Sequence, residues 1–132
     1  MTDYLIDTIA FVRYLEDRLP PRPNRIFTDA EQGRNHLLLP QIALAEFLYV
    51  ALRGRLKGIR PEPQARDVLH NLLASPAFSV STMPSSAWEE FLALKIPEMH
   101  DRMIAAEALA RGVTLVSNDA SFVGITRLKT VW

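Results

Sequence analysis

Cysteine is absent from the 132-residue sequence. That removes a disulfide framework, a zinc–thiolate site and a cysteine nucleophile. Net charge is missing too, since 15 Lys and Arg balance 15 Asp and Glu. A zero balance argues against a protein that grips nucleic acid mainly through bulk positive charge. There is no long apolar run. The greasiest stretch, 37–52, is broken by Pro40, Gln41 and Glu46 and falls short of the ~20 residues that a membrane span needs. The opening Met1-Thr2-Asp3-Tyr4 has no basic segment and no apolar core behind it, so no targeting signal is expected and a cytoplasmic location fits. The three histidines, His36, His70 and His100, lack the paired spacing of a zinc site. What is present is ordinary globular composition, 48% hydrophobic and 23% charged, which suits one buried core in a chain of this length.

Short apolar runs alternate with segments of helical periodicity. Residues 4–6 read as a buried strand closed by Asp7-Thr8. Residues 9–19 carry Ala10, Phe11, Tyr14, Leu15 and Leu19 at helical spacing, and Pro20, Pro21 and Pro23 are expected to stop that helix in a stiff connection. A short helix is expected over 28–34, a strand over 36–39 and a strong helix over 40–53. Gly54, Gly58, Pro61 and Pro63 mark a turn region. Helices are then expected over 64–74, over 85–94 with Trp88, Phe91 and Leu92 facing inward, and over 101–111, closed by Gly112. Strands are expected over 78–81, 113–116 and 128–132. This alternation predicts a single α/β domain over residues 1–132, with a mainly parallel sheet and helices on both faces.

Four acids stand apart from those on plainly solvated helix faces. Asp7 follows the first strand and Asp119 follows the strand at 113–116, with Ser117 and Asn118 between. Each suits a cap or a turn, and each also lies at the carboxyl edge of a parallel sheet, where ligands bind. Glu46 has Ile42, Ala43, Tyr49 and Val50 three or four positions away, and Asp101 heads a stripe of Ile104, Ala105 and Ala108. A carboxylate in an apolar stripe is paired, protonated or bound to a cation, because uncompensated burial of its charge costs several kcal/mol. Four acids at one cleft would repel one another. The usual compensation is a hard divalent ion with oxygen ligands, Mg²⁺ or Mn²⁺. Such an ion activates water and stabilises charge on a phosphoryl oxygen, the chemistry of phosphodiester hydrolysis.

In order and spacing, four segments resemble the PIN-domain nucleases, and in particular the VapC-type toxins of toxin–antitoxin pairs. They are Tyr4-Leu5-Ile6-Asp7-Thr8, Leu44-Ala45-Glu46, His100-Asp101-Arg102-Met103-Ile104-Ala105-Ala106 and Leu115-Val116-Ser117-Asn118-Asp119-Ala120-Ser121-Phe122. The resemblance implies a three-layer α/β/α fold with about five strands, and an endoribonuclease dependent on Mg²⁺ or Mn²⁺. It carries Asp7, Glu46, Asp101 and Asp119 over as the catalytic and metal-binding acids, with the Thr8 and Ser117 hydroxyls supporting an acid or a phosphate. It implies an RNA substrate, 5′-phosphate and 3′-hydroxyl products, a homodimer, and a small antitoxin whose Arg enters the acidic site. Ile9 departs from the pattern: many members carry Asn or Ser there, which supports the first acid by a hydrogen bond.

Arg53, Arg55, Lys57 and Arg60 put four bases in eight residues with no acid among them. They suit an RNA contact or a solvated turn. Phe11, Tyr14 and Tyr49 are candidates for a groove that takes an apolar antitoxin segment. A catalytically silent binding module of the same fold is the alternative function. A response-regulator-like domain is disfavoured, because only Asp7 follows the first strand and Lys129 is the only late lysine. Setting the four acids aside leaves 11 acids against 15 bases. On this reading the zero balance conceals an acidic pocket in a basic remainder.

Overall fold

The expected alternation of strands and helices is present in the computed structural model, which describes residues 1–54 and 62–132. The order is β1 (Thr2–Ile6), α1 (Thr8–Leu15), α2 (Pro21–Glu31), β2 (Asn35–Pro40), α3 (Gln41–Leu52), α4 (Pro63–Ala74), β3 (Phe78–Ser81), α5 (Ala87–Ala93), α6 (Met99–Arg111), β4 (Thr114–Val116) and β5 (Thr130–Val131). A 3₁₀ turn, Ala120–Phe122, follows β4. The strands form one sheet in the order β3-β2-β1-β4-β5, every pair parallel. Right-handed crossovers put the helices between β1 and β3 on one face and those returning from β3 to β4 on the other. Among the described residues, no helix is long and apolar enough to cross a membrane.

The central strands carry no polar alternation because both faces of a parallel sheet are covered. Leu5, Ile6, Leu37, Leu39, Leu115 and Val116 are accordingly completely buried. Phe11 of α1 meets Phe47 of α3 edge-on at 5.2 Å and Phe78 of β3 at 6.1 Å, and Tyr14 stacks on Phe27 of α2 at 4.9 Å. On α6 the run from Ile104 to Ala108 is buried. The helix ends on Gly112 in the left-handed region, at φ 66°, a conformation that costs a side chain-bearing residue more than glycine.

Three local expectations are corrected. The first helix ends at Leu15, not Leu19, because Asp17 turns left-handed at φ 56° and Arg18 N–H bonds back to the Arg13 carbonyl at 2.8 Å. The prolines that follow begin a helix. Pro20 is the N-cap of α2 and Pro21 its first residue, where the missing N–H is not needed and the fixed φ is already helical. The helix expected over 28–34 is the second half of this longer one. In α5, Trp88 is 52% and Leu92 72% exposed, whereas Ala87 is buried. The inward stripe of this short helix runs through Ala87, half-buried Phe91 and the following Leu94, which is buried.

Glu107 is the one acid of α6 inside the core, 2% exposed. It accepts from Ser81 Oγ at 2.6 Å and from Arg111 Nε at 2.8 Å, and Arg111 Nη2 donates to the Thr82 carbonyl at 2.8 Å. This network ties α6 to the end of β3. Removing Glu107 leaves the buried Ser81 hydroxyl without its acceptor, whereas Arg111 is partly exposed to water. Glu107→Ala is therefore expected to lower the unfolding free energy by about 2 kcal/mol, read as a shift in the urea midpoint. A change below about 0.5 kcal/mol, the ordinary range for surface substitutions, would show that the network carries no such load.

Candidate active site

The backbone brings Asp7 and Asp119 together. Ile6 pairs with Val116 across the β1–β4 ladder, and Asp7 N–H continues it to the Val116 carbonyl at 3.3 Å. Asp7 is also the N-cap of α1, its Oδ1 accepting from Ala10 N–H at 2.8 Å. Asp119 caps the 3₁₀ turn, accepting from Ser121 N–H at 2.8 Å. The cap role and the site position therefore coincide at both residues. Ser117 is buried between them; its Oγ accepts from Asp119 N–H at 3.0 Å and its hydroxyl hydrogen-bonds the Asp7 carboxylate.

Asp101 enters from the first turn of α6, half-buried, with its N–H bonded to Glu98 Oε2 at 2.7 Å. Glu46 reaches in from α3. His100 Nδ1 lies 2.6 Å from Glu98 Oε1 and 3.7 Å from Glu46 Oε2. The placement of Glu46 inside an apolar stripe is corrected here. The buried stripe of α3 runs Ala43, Phe47, Ala51, and the Glu46 side chain is 39% exposed beside it. Because α3 is apolar nearly all round, counting by three and four finds apolar neighbours from any starting point. For Asp101 the expected stripe holds, since Ile104, Ala105 and Ala108 are all buried.

The four acids act on one another. Burial raises the Asp7 carboxyl to about 6, Asp119 and Glu46 push the same way, and the hydrogen bonds from Ser117 and Ala10 N–H oppose the rise. Asp101 is also raised to about 6, by burial first and then by the charges of Asp119, Glu98, Glu46 and Asp7. Sequence reasoning missed Glu98 as a fifth member of this field. Its signal was the three-residue spacing before Asp101 at a helix start, the spacing of a capping acid.

The remaining candidates separate. Thr8 Oγ1 is buried with no hydrogen-bond partner among the described residues. Ile9 is 45% exposed on the first turn of α1, and Asp7 takes its support from Ser117 and Ala10 instead. Arg53 caps α3 and points back along it, with Nη1 2.8 Å from Tyr49 Oη and its guanidinium over that ring. Arg55, Lys57 and Arg60 lie outside the described residues. Phe11 and Tyr14 border a groove of about 210 Å³ with Leu15, Val68, Leu72 and Phe78. Tyr49 is not part of it and stands exposed.

The model of the PIN domain matches residues 4–128. The chain belongs to the PIN domain family. Solved structures sharing this PIN fold include VapBC2 from Rickettsia felis, bound to a DNA fragment from its promoter, at 21% identity and a TM-score of 0.76, covering 98% of each chain. They also include VapBC-1 from nontypeable Haemophilus influenzae, at 19% and 0.70 over 98% of this chain and 97% of that one. VapBC-5 of Mycobacterium tuberculosis matches at 17% and 0.66, over 99% and 98%. No curated protein matches the chain.

Among the described residues of this PIN domain, no three acids or histidines are gathered closely enough to hold a metal ion as they stand. The chemistry of the donor set nonetheless fits a hard divalent ion. It is all oxygen, and two of its carboxyls are raised to about 6 by burial and by their neighbours' charge, which a cation would offset. The raised values also fix a sign for stability. An acid whose folded pKa exceeds its unfolded value stabilises the fold below the unfolded pKa and loses that contribution as pH rises through the folded one. For Asp7 the loss runs from near 3.8 to about 6. Asp7→Asn keeps the cap acceptor without the charge, so it is expected to raise Tm at pH 7.5 and to leave it unchanged near pH 3. Equal effects at both pH values in scanning calorimetry would contradict the raised Asp7 pKa.

Proposed function

We propose that this PIN domain is an endoribonuclease dependent on Mg²⁺, with Mn²⁺ as a substitute, and the toxin of a VapBC-type pair. The observation that carries the reading is the mutually repelling carboxylate cluster at the carboxyl edge of the sheet, with Asp7 and Asp101 raised to about 6. Asp7, Asp101 and Asp119 would hold one or two ions, with Glu46 completing the set. A bound divalent ion supplies a Lewis acid for the phosphoryl oxygen and lowers the pKa of water. Ser117 fixes the orientation of Asp7 and the chain position of Asp119. Glu46, half-exposed at the rim, would ligate the ion or orient the attacking water. The products are a 5′-phosphate and a 3′-hydroxyl.

The structures reported for the VapBC relatives support an antitoxin partner. Clustered carboxylates receive an arginine fork well, and the apolar groove beside Phe11 and Tyr14 suits an amphipathic antitoxin segment. Trp88 and Leu92, exposed and four apart on α5, present an apolar face to a second copy in a homodimer. One observation favours a second reading, a PIN-fold binding module without catalysis: Ile9 stands on the first turn of α1 in place of a polar residue that would support Asp7. Calorimetric titration with Mn²⁺ separates the two, because a binding module need not take up the ion.

Asp101→Asn should cut Mg²⁺-dependent RNA cleavage by about 100-fold or more, since even outer partners of a metal ligand are worth about 10- to 100-fold, with the circular dichroism spectrum unchanged. Chelation should silence the native chain and Mn²⁺ restore it. Cleavage that persists in the variant or survives chelation rejects the assignment.

A further inference from the structure

We propose that a basic groove toward the amino-terminal end of the sheet, away from the acids, holds the phosphodiester backbone of the RNA strand. The occupant rests on the nuclease reading above; the groove itself does not. It measures about 750 Å³ and runs between α2 and the β4–β5 edge. Arg22 and Arg25 line it from one face of α2, Lys129 lines it from the residue before β5, and Tyr4 of β1 contributes an aromatic ring. All three cations are exposed. Arg22 sits in the first turn of α2, where the helix dipole adds to the positive potential.

The charges in the groove are not cancelled. Asp29 is the one acid among its lining residues, and it is already bridged to Arg34. Among the described residues, no carboxylate lies within ion-pair distance of Arg22, Arg25 or Lys129. Cations sharing a concave surface without a counter-charge focus positive potential on whatever enters it. The nuclease reading favours nucleic acid over an acidic peptide, and single strands are held by cations that track the backbone. The groove and the acids lie at opposite ends of β1. Tyr4 precedes Asp7 by three residues, a distance of roughly 10 Å along an extended strand. Leu5 and Ile6 between them are buried, so a strand held in the groove reaches the acids only over the outside of the domain.

The test is fluorescence anisotropy with a labelled single-stranded RNA, on the full chain carrying Asp101→Asn so that the probe stays intact. Arg22→Gln, Arg25→Gln and Lys129→Gln are added together. Removing three phosphate contacts from a single-stranded complex should lower the slope of log affinity against log salt by about 2, which is about 100-fold in affinity near 0.1 M salt. Arg18→Gln with Arg66→Gln, exposed cations outside the groove, is the control and should leave the slope nearly unchanged. A triple variant that keeps native affinity and slope overturns the proposal, as does a control pair that loses as much. Failure of the parent to bind RNA overturns it too. Cleavage by the chain with its native acids is measured in parallel. Cleavage with unchanged binding in the triple variant removes the groove and leaves the nuclease reading. Binding lost in the triple variant, with no cleavage by the native chain, removes the nuclease reading and leaves the groove.

Discussion

Carboxylates that repel one another at the carboxyl end of a buried parallel sheet set the terms for the rest of this molecule. Asp7 is 5% exposed and faces the charges of Asp119 and Glu46; Asp101 faces all three and Glu98 besides. Such a group gains nothing from water and loses from its neighbours, so the fold must hold it in place by other means. It does so with short local hydrogen bonds. Ala10 N–H and Ser117 hold Asp7, Ser121 N–H holds Asp119, and Glu98 secures the turn that carries Asp101. A site that is destabilised unless filled is the common condition of catalytic centres, and its cost is met elsewhere in the fold.

The topology explains how so small a sheet assembles it. Parallel pairing of β1 with β4 sets two acids side by side at one edge, and helices that start at that edge bring in the other two. Buried Glu107 and Ser81, with the more exposed Arg111, pin the helix that carries Asp101. The zero net charge of the chain is a sum over two unlike regions. Acids concentrate at one end of the sheet, and uncancelled arginines and a lysine line a groove toward the other.

Much of this was legible in the sequence because the signals were local and redundant. The strand–helix alternation, the parallel sheet and the positions of Asp7, Asp101 and Asp119 all followed from apolar runs and caps. The errors share a physical cause: the sequence pattern was compatible with more than one packing. Nothing local marks Asp17 as left-handed, and a proline cluster stops one helix as readily as it begins the next. Trp88 and Leu92 read as core because they are large and apolar, yet Ala87 is the buried residue of that helix. Glu46 looked buried because α3 is apolar on most sides. Glu107 and the basic groove were illegible for a different reason. Their partners lie far apart in the chain, Ser81 for the one and the pairing of α2 with Lys129 for the other.

The proposed function treats the acids as one electrostatic unit that receives a cation. Its most direct measurement is a titration of the Asp7 and Asp101 carboxyl carbons by ¹³C NMR, with and without Mg²⁺. Midpoints near 6 are expected for both in the absence of the ion, with a fall toward the ordinary carboxylate value of about 4 when it is present. Midpoints already near that ordinary value, and indifferent to Mg²⁺, would contradict that reading.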